Sequence, residues 1–475
     1  MPVIDTALID TAVIDAAPPT PGHAAGHGAW TAHSPALLTD RYELTMLESW
    51  LRDGSAHHQA IFECFARRLP AGRRYGVVAG LGRLLPLIED FRFGSAELEH
   101  LLATGTISRT TADYLADFRF SGTIEAYREG ELQFPGSPVL TVRSTLAEGC
   151  VLETLILSVL NHDSAVASAA SRMVVAADGR PLIEMGSRRT HEEAAVASAR
   201  VAYLAGFDST SNMAAGFRYG IPTVGTAAHA FTLAHRSERD AFTSQVAALG
   251  PGTTLLVDTF DTAQGIRTAV DVAGPELGAI RIDSGDLDVE ARKARTLLDE
   301  LGATRTRIVV TSDLDEYVIS ALAAAPIDGY GVGTRLVTGS GHPTASMVYK
   351  LVAVADSPDP QAPLRPVAKN APGKTSQGGG KCAIRLLGPD GRAVGERLVL
   401  DGQPTADDDA CSRPLSVVVV PDGVTLPQPT LAESRAVHSA ARAELAPEHL
   451  ALADGPPALV ARIAAATLTN ERTQP

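Results

Sequence analysis

The most constraining feature of this sequence is a pattern that recurs between about residues 180 and 335. Short apolar runs end in small or polar residues, at Ile183-Glu184, Phe207-Asp208, Val224-Gly225, Val257-Asp258, Ile282-Asp283, Val310-Thr311 and Val332-Gly333. Segments of helical periodicity fill the gaps, among them Glu192–Leu204, Asp240–Leu249, Val289–Leu301 and Asp315–Ala324. The later strand starts are spaced by roughly 22–28 residues, the size of a βα unit, and no two-residue hairpin turn intervenes. Such a series predicts a parallel α/β barrel.

The rest of the chain is organised around that series. At 475 residues it is about three times the usual domain length, enough for a barrel and a second domain. Residues 1–34 carry a near-repeat (Ile4-Asp5-Thr6-Ala7, Ile9-Asp10-Thr11-Ala12, Ile14-Asp15-Ala16-Ala17) with a period that suits neither helix nor strand, and read as a disordered extension. His23 and His27 within it read as solvated tail residues rather than metal ligands. Residues 35–140 mix helices, around Tyr42–Leu51 and Val77–Phe91, with short strands near Ile61–Phe65 and Thr123–Tyr127. A long amphipathic helix over about Ala147–Val174 opens the barrel-like segment, 141–350. Residues 351–475, with β-like segments at Ala383–Leu387 and Leu415–Val420 and a helical tail from Leu431, are expected to return to the domain begun by 35–140.

Composition removes several classes of function. Hydrophobic residues at 45% and charged residues at 20% suit a folded globular chain. A net charge of −14, from 41 basic and 55 acidic residues, argues against a general nucleic-acid surface. Cys64, Cys150, Cys382 and Cys411 are scattered with no CxxC pair, which predicts neither a disulfide framework nor a zinc knuckle. No apolar run reaches the 18 or so residues of a membrane span, and no basic region precedes an apolar one at the N-terminus. A cytoplasmic protein is expected. An acidic chain that handles anionic substrates must gather its cations and backbone N–H groups locally.

Barrels place their chemistry at the C-terminal ends of strands. Those ends read Gly186-Ser187-Arg188-Arg189, Ser209-Thr210-Ser211-Asn212, Gly225-Thr226-Ala227-Ala228-His229, Asp258-Thr259, Arg281-Ile282-Asp283-Ser284-Gly285-Asp286, Thr311-Ser312-Asp313 and Gly331-Val332-Gly333-Thr334. Glycine and hydroxyl residues at strand-to-helix turns expose N–H groups to anions, and Arg188 and Arg189 add guanidinium forks for phosphate or carboxylate. Arg281 stands inside the apolar run Gly278-Ala279-Ile280-Arg281-Ile282, so it faces away from its neighbours and needs an anionic partner: Asp283, Asp286 or a ligand. His229 can serve as base, ligand or phosphoryl acceptor. Asp258, Asp283, Asp286 and Asp313 can gather around Mg²⁺ or cap the helices that follow, and Asp286 and Asp313 fit caps better.

Taken in order, these motifs resemble a known family. Leu37-Leu38-Thr39-Asp40-Arg41-Tyr42-Glu43-Leu44-Thr45-Met46 resembles the opening motif of nicotinate phosphoribosyltransferases, and the strand-end motifs follow in that family's order, through Ser312-Asp313-Leu314-Asp315-Glu316 to Val348-Tyr349-Lys350-Leu351-Val352. The resemblance spans about residues 35–390. It implies an incomplete, irregular TIM-like α/β barrel with a second α+β domain formed from the N- and C-terminal parts. It also implies an enzyme of NAD salvage that joins nicotinate to 5-phosphoribosyl 1-diphosphate (PRPP), giving nicotinate mononucleotide and diphosphate with ATP hydrolysis coupled. Mg²⁺ is the implied metal, its ligands unassigned, and a homodimer with active sites near the subunit interface is the implied assembly, without nucleic acid or membrane.

Carried over residue by residue, the resemblance makes His229 the histidine phosphorylated by ATP. Tyr42 stacks on the pyridine ring, from one subunit or the other, and Thr226 and Arg281 recognise the nicotinate carboxylate. Arg188, Gly333 and Thr334 hold the phosphates of PRPP. Lys369, Lys374 and Lys381 resemble a flexible basic loop that closes over phosphates. Arg335 departs from the family pattern, which has a small or neutral residue there. Three rivals stand beside this reading: the same chemistry on nicotinamide or quinolinate; an aldolase or isomerase barrel, for which no strand-end lysine is present; and a non-catalytic binding protein.

Overall fold

The computed structural model describes residues 34–369, 377–403 and 412–463. The five-residue repeat, His23, His27, Lys374 and Cys411 lie outside them. Six parallel strands form the central sheet, in the order Ser209–Thr210, Leu182–Glu184, Gly329–Val332, Arg307–Ser312, Ala279–Ile282, Thr254–Leu256. Side chains alternate across a strand, so each strand sends one set to the surrounding helices and one to the concave side. Ile280, Ile282, Ile308, Val310, Leu255, Tyr330 and Leu182 form the outer set, all buried in one core with the helices Thr262–Ala273, Leu287–Glu300 and Glu153–Ala177.

The barrel is incomplete, and its seam differs from the sequence expectation. No strand forms at Val224-Gly225. Thr223 makes a single parallel bridge to Thr210, with Thr210 N–H donating to Pro222 O and Val224 N–H to Thr210 O. Pro222 has no N–H to extend that ladder, and the chain turns away into the mouth of the sheet. The run ending at Phe207-Asp208 is also displaced: the strand is Ser209–Thr210, and Asp208 instead accepts the Leu182 N–H at 3.0 Å.

Strands from both ends of the chain build a second, antiparallel sheet. Its order is Leu364–Pro366, Met347–Ala355, Gln59–Ala66, Leu140–Thr145, Thr123–Tyr127, Ser416–Val420. A four-stranded sheet of Ser412–Pro414, Lys381–Leu387, Ala393–Leu400 and Ala461–Ile463 lies within the C-terminal part. The expected long helix is two, Leu146–Val151 and Glu153–Ala177. The second has its own N-terminal acceptor, because Glu43 Oε1 takes both the Thr154 N–H at 2.9 Å and its hydroxyl at 2.5 Å, satisfying a first turn that the first helix no longer covers.

Two further expectations are corrected. Lys381 is buried at the start of a strand, its Nζ 2.8 Å from the buried Glu63 carboxylate and bonded to Gln377 O and Gly379 O, so it cannot swing over a phosphate. Lys369 is exposed after Leu364–Pro366. Asp286 caps Leu287–Glu300 as expected, but Asp315, not Asp313, caps Glu316–Ala321, through the N–H groups of Tyr317 and Val318 at 3.0 Å.

Candidate active site

Arg281 is the inward-facing member of its strand and lies at the centre of the site. Its Nη1 donates to Thr226 Oγ1 at 2.5 Å and to Ala227 O at 3.3 Å, and its Nε donates to Thr311 Oγ1 at 3.2 Å. The remaining nitrogen, Nη2, lies 3.8 Å from Asp283 Oδ2, too far for a hydrogen bond. A guanidinium carries five N–H donors, so the two on Nη2 stay available to a ligand. The Arg281 bond to Thr226 also crosses from the strand Ala279–Ile282 to the segment that leaves the opposite edge. The seam is therefore closed by side chains rather than by a ladder.

His229 opens the short helix His229–Ala234 and sits beside the same group. Its Nδ1 is 3.2 Å from Thr259 Oγ1 and its Nε2 3.8 Å from Asp283 Oδ2, with the imidazole 40% exposed. In the tautomer that donates Nδ1–H to Thr259, Nε2 keeps its lone pair, 3.8 Å from Asp283 Oδ2. Asp283 accepts the Thr311 hydroxyl on its other oxygen. Asp258 Oδ2 takes the Asp283 N–H and the Ser284 hydroxyl, both at 2.7 Å, which fixes the Asp283 turn. Thr226, His229, Arg281 and Asp283 thus come together, and Thr259 and Thr311 join them.

The expected phosphate loops lie side by side, because Leu182–Glu184 and Gly329–Val332 are neighbouring strands. Gly186 leaves no room for a side chain: a Cβ there would lie 2.2 Å from Val337 Cγ1 and 3.3 Å from Gly333 O. Gly333 and Thr334 begin a helix of only four residues, Thr334–Val337. Arg188, Arg189 and Arg335 are exposed. Glu184, buried beneath these loops, was given no role from the sequence; the only signal was a carboxylate closing an apolar strand.

Tyr42 is not part of this cluster. It lies on the helix Arg41–Asp53 and is 46% exposed; partial burial and the carboxylates of Glu153 and Glu43 push its phenol up. Glu153 bonds to Tyr42 and lies 3.8 Å from Lys350. Burial raises the neighbouring Glu43 to about 7, against the pull of its bonds from Thr154 and Thr39. No hydrogen bond, ion pair or ring contact joins Tyr42 to Thr226, His229 or Arg281 among the described residues.

At the mouth, the His229 and Asp283 side chains are 40% and 35% exposed and that of Arg281 is 14% exposed. Two cavities, of about 210 and 440 Å³, lie away from it, beside Gly82 and Arg128 and along Ala393–Leu400. Met213, Phe217, Val224, Leu233 and Phe260, on segments that follow the strand ends, are exposed. No helix among the described residues is long and apolar enough to cross a membrane.

Comparison with known proteins bears on the same residues. Residues 37–161 match the family model of the nicotinate phosphoribosyltransferase (NAPRTase) N-terminal domain. The chain is 55% identical over 434 residues to nicotinate phosphoribosyltransferase pncB1 of Mycobacterium tuberculosis, covering 90% of this chain and 94% of that one. It is 30% identical over 499 residues to the Homo sapiens nicotinate phosphoribosyltransferase, covering 87% and 92%. The crystal structure of human nicotinic acid phosphoribosyltransferase superposes with a TM-score of 0.77 at 28% identity, covering 90% of this chain and 97% of that one. In fold alone, nicotinate-nucleotide pyrophosphorylase from Pyrococcus furiosus is also similar, with a TM-score of 0.71 at 23% identity over 86% of this chain and 96% of that one. Identity at this level across nearly the whole of both chains, on an incomplete parallel barrel, places the chain in the nicotinate phosphoribosyltransferase family.

Proposed function

We propose that this nicotinate phosphoribosyltransferase uses Arg281 Nη2 to hold the nicotinate carboxylate and His229 to couple the reaction to ATP. The observation that carries the reading is Arg281 Nη2, which makes no hydrogen bond among the described residues, within one cluster with His229 and Asp283. Thr226 and Thr311 fix the guanidinium plane, so a flat anion is oriented as well as attracted.

The chemistry then follows from what the chain must do. The pyridine nitrogen forms a bond to the anomeric carbon of PRPP, the bond from that carbon to diphosphate oxygen breaks, and the electron pair leaves with diphosphate. The ribosyl carbon passes through an oxocarbenium-like state. Arg188, Gly333 and Thr334 would bind the phosphates, through a guanidinium and through N–H groups at the turn after Gly329–Val332, and oppose the growing charge. Among the described residues no three His, Cys, Asp or Glu side chains converge as a metal cage. Mg²⁺ is commonly held by one or two carboxylates plus substrate phosphates. Asp283 and Asp258, one of whose oxygens is buried without a partner, are the carboxylates that fit. The metal would neutralise diphosphate charge.

For ATP coupling, His229 Nε2 would attack the γ-phosphorus. The P–N bond forms, the bond to the β-phosphate oxygen breaks, and ADP leaves; water later releases phosphate. The added charge, close to two negative units, would stand beside Asp283 and Arg281 and reset how the mouth binds PRPP. A second copy of the chain would cover the mouth over Met213, Phe217 and Phe260 and lend Tyr42 to stack on the pyridine. The test is labelling with γ-³²P-ATP. Acid-labile label on the wild type that is absent from His229→Asn supports the reading. Equal label on both proteins, or none on the wild type, refutes it.

A further inference from the structure

Glu184 is fully buried at the end of its strand and has no Lys, Arg or His partner among the described residues. Both of its oxygens are nevertheless committed. Oε1 accepts the Gly186 N–H at 2.5 Å, and Oε2 accepts the Thr210 hydroxyl at 2.5 Å. Thr210 Oγ1 in turn accepts the Asn212 N–H at 2.9 Å, and the Asn212 amide donates to Ser187 Oγ at 3.0 Å. The Ser211 N–H closes on the Glu184 carbonyl at 2.8 Å. One carboxylate thus ties the loop after Leu182–Glu184 to the loop after Ser209–Thr210. The first of these loops is pressed through Gly186 onto Val337 and Gly333.

Burying an uncompensated carboxylate is costly, and an apolar residue would pack the same space more cheaply. The arrangement makes sense where the backbone direction of Gly186-Ser187-Arg188 matters more than local stability. We infer that Glu184 is a positioning residue for the phosphate end of the site: through Gly186 and Thr210 it sets the course of the loop that carries Arg188. The inference rests on the reading of Arg188 as a PRPP contact.

Glu184→Gln keeps the shape but offers an amide that cannot accept at both positions. Thr210→Val removes the hydroxyl from the other side, and Thr210→Ser restores it. Initial rates with PRPP varied at saturating nicotinate should show KM for PRPP raised about tenfold in Glu184→Gln and Thr210→Val, the size of losing one charge-assisted bond from Arg188 to phosphate, with kcat within about twofold. Thr210→Ser should stay near wild type. Adding Glu184→Gln to Arg188→Ala should raise the PRPP KM no further, because both act on one contact.

A lowered melting temperature with PRPP KM unchanged, or effects of the two substitutions that multiply, would overturn the inference while leaving the Arg188 reading intact. Arg188→Ala alone with unchanged PRPP KM would overturn that reading and the inference with it. If Glu184→Gln does not fold, the two Thr210 variants decide the matter by the same readout.

Discussion

Replacing Arg281 by lysine tests the carboxylate site without removing charge. A lysine ammonium cannot bond Thr226 and Thr311 and still hold out a second nitrogen to a carboxylate as Nη2 does, so the directed donor is lost and only a point charge remains. A hydrogen bond to a charged group contributes about 1.5–3 kcal/mol. At about 1.4 kcal/mol per decade, kcat/KM for nicotinate should fall roughly 10- to 100-fold. Stability should change little. Thr226 is exposed, so water can replace the bond it loses, and the buried Thr311 hydroxyl keeps its bond to Asp283. The assay is initial rate against nicotinate at saturating PRPP, and against PRPP at saturating nicotinate, with a melting curve for each protein. A loss confined to nicotinate, with PRPP KM within about twofold, is the expected result. Unchanged nicotinate kinetics, or equal losses for both substrates, would refute the argument that Nη2 is kept for the carboxylate.

Three other substitutions separate catalysis from structure. His229→Asn should abolish the effect of ATP on PRPP KM with a melting temperature near wild type, since the imidazole is partly exposed and makes one hydrogen bond; kinetics with and without ATP check this. Lys381→Met should leave Glu63 buried without its cation and cost about 3–5 kcal/mol in urea unfolding, with PRPP KM unchanged. His438 is wholly buried between Gly130 O and Ser171 Oγ, and burial pulls its pKa down to about 4. The fold therefore holds the neutral ring. Its contribution is intact above the unfolded value near 6.5 and is lost as pH falls from there through about 4, by ~3 kcal/mol. Urea midpoints between pH 7 and pH 4 should show that loss, and His438→Gln should flatten it.

Some of this was legible in the sequence, for identifiable reasons. Arg281 is the only charge in Gly278-Ala279-Ile280-Arg281-Ile282, and strict alternation left it only the concave face. The strand ends at Glu184, Ile282 and Val332 followed from apolar runs that stop abruptly. What periodicity cannot see is a charge buried with its partner. Lys381 looked like part of a mobile Gly-rich loop because Glu63 lies 318 residues away in the chain. The strand Ala393–Leu400 escaped notice because Glu396 interrupts its apolar pattern. Glu396 is buried with Arg385, from the adjacent strand, at 2.8 Å from one oxygen and the Ser137 hydroxyl on the other. Glu184 passed unremarked because its partners are a backbone N–H and a hydroxyl, and neither announces itself by charge. Tyr42 belonged to a recognisable motif, but no spacing could tell that its own chain keeps it out of the Arg281 cluster.

The most direct test of the account is diphosphate release by the full-length protein from PRPP with nicotinate, nicotinamide or quinolinate, each with and without ATP. Release with nicotinate that ATP stimulates, and little with the other two, is the predicted result. Release driven by nicotinamide or quinolinate in preference to nicotinate would contradict the assignment of Arg281 to a single ring carboxylate.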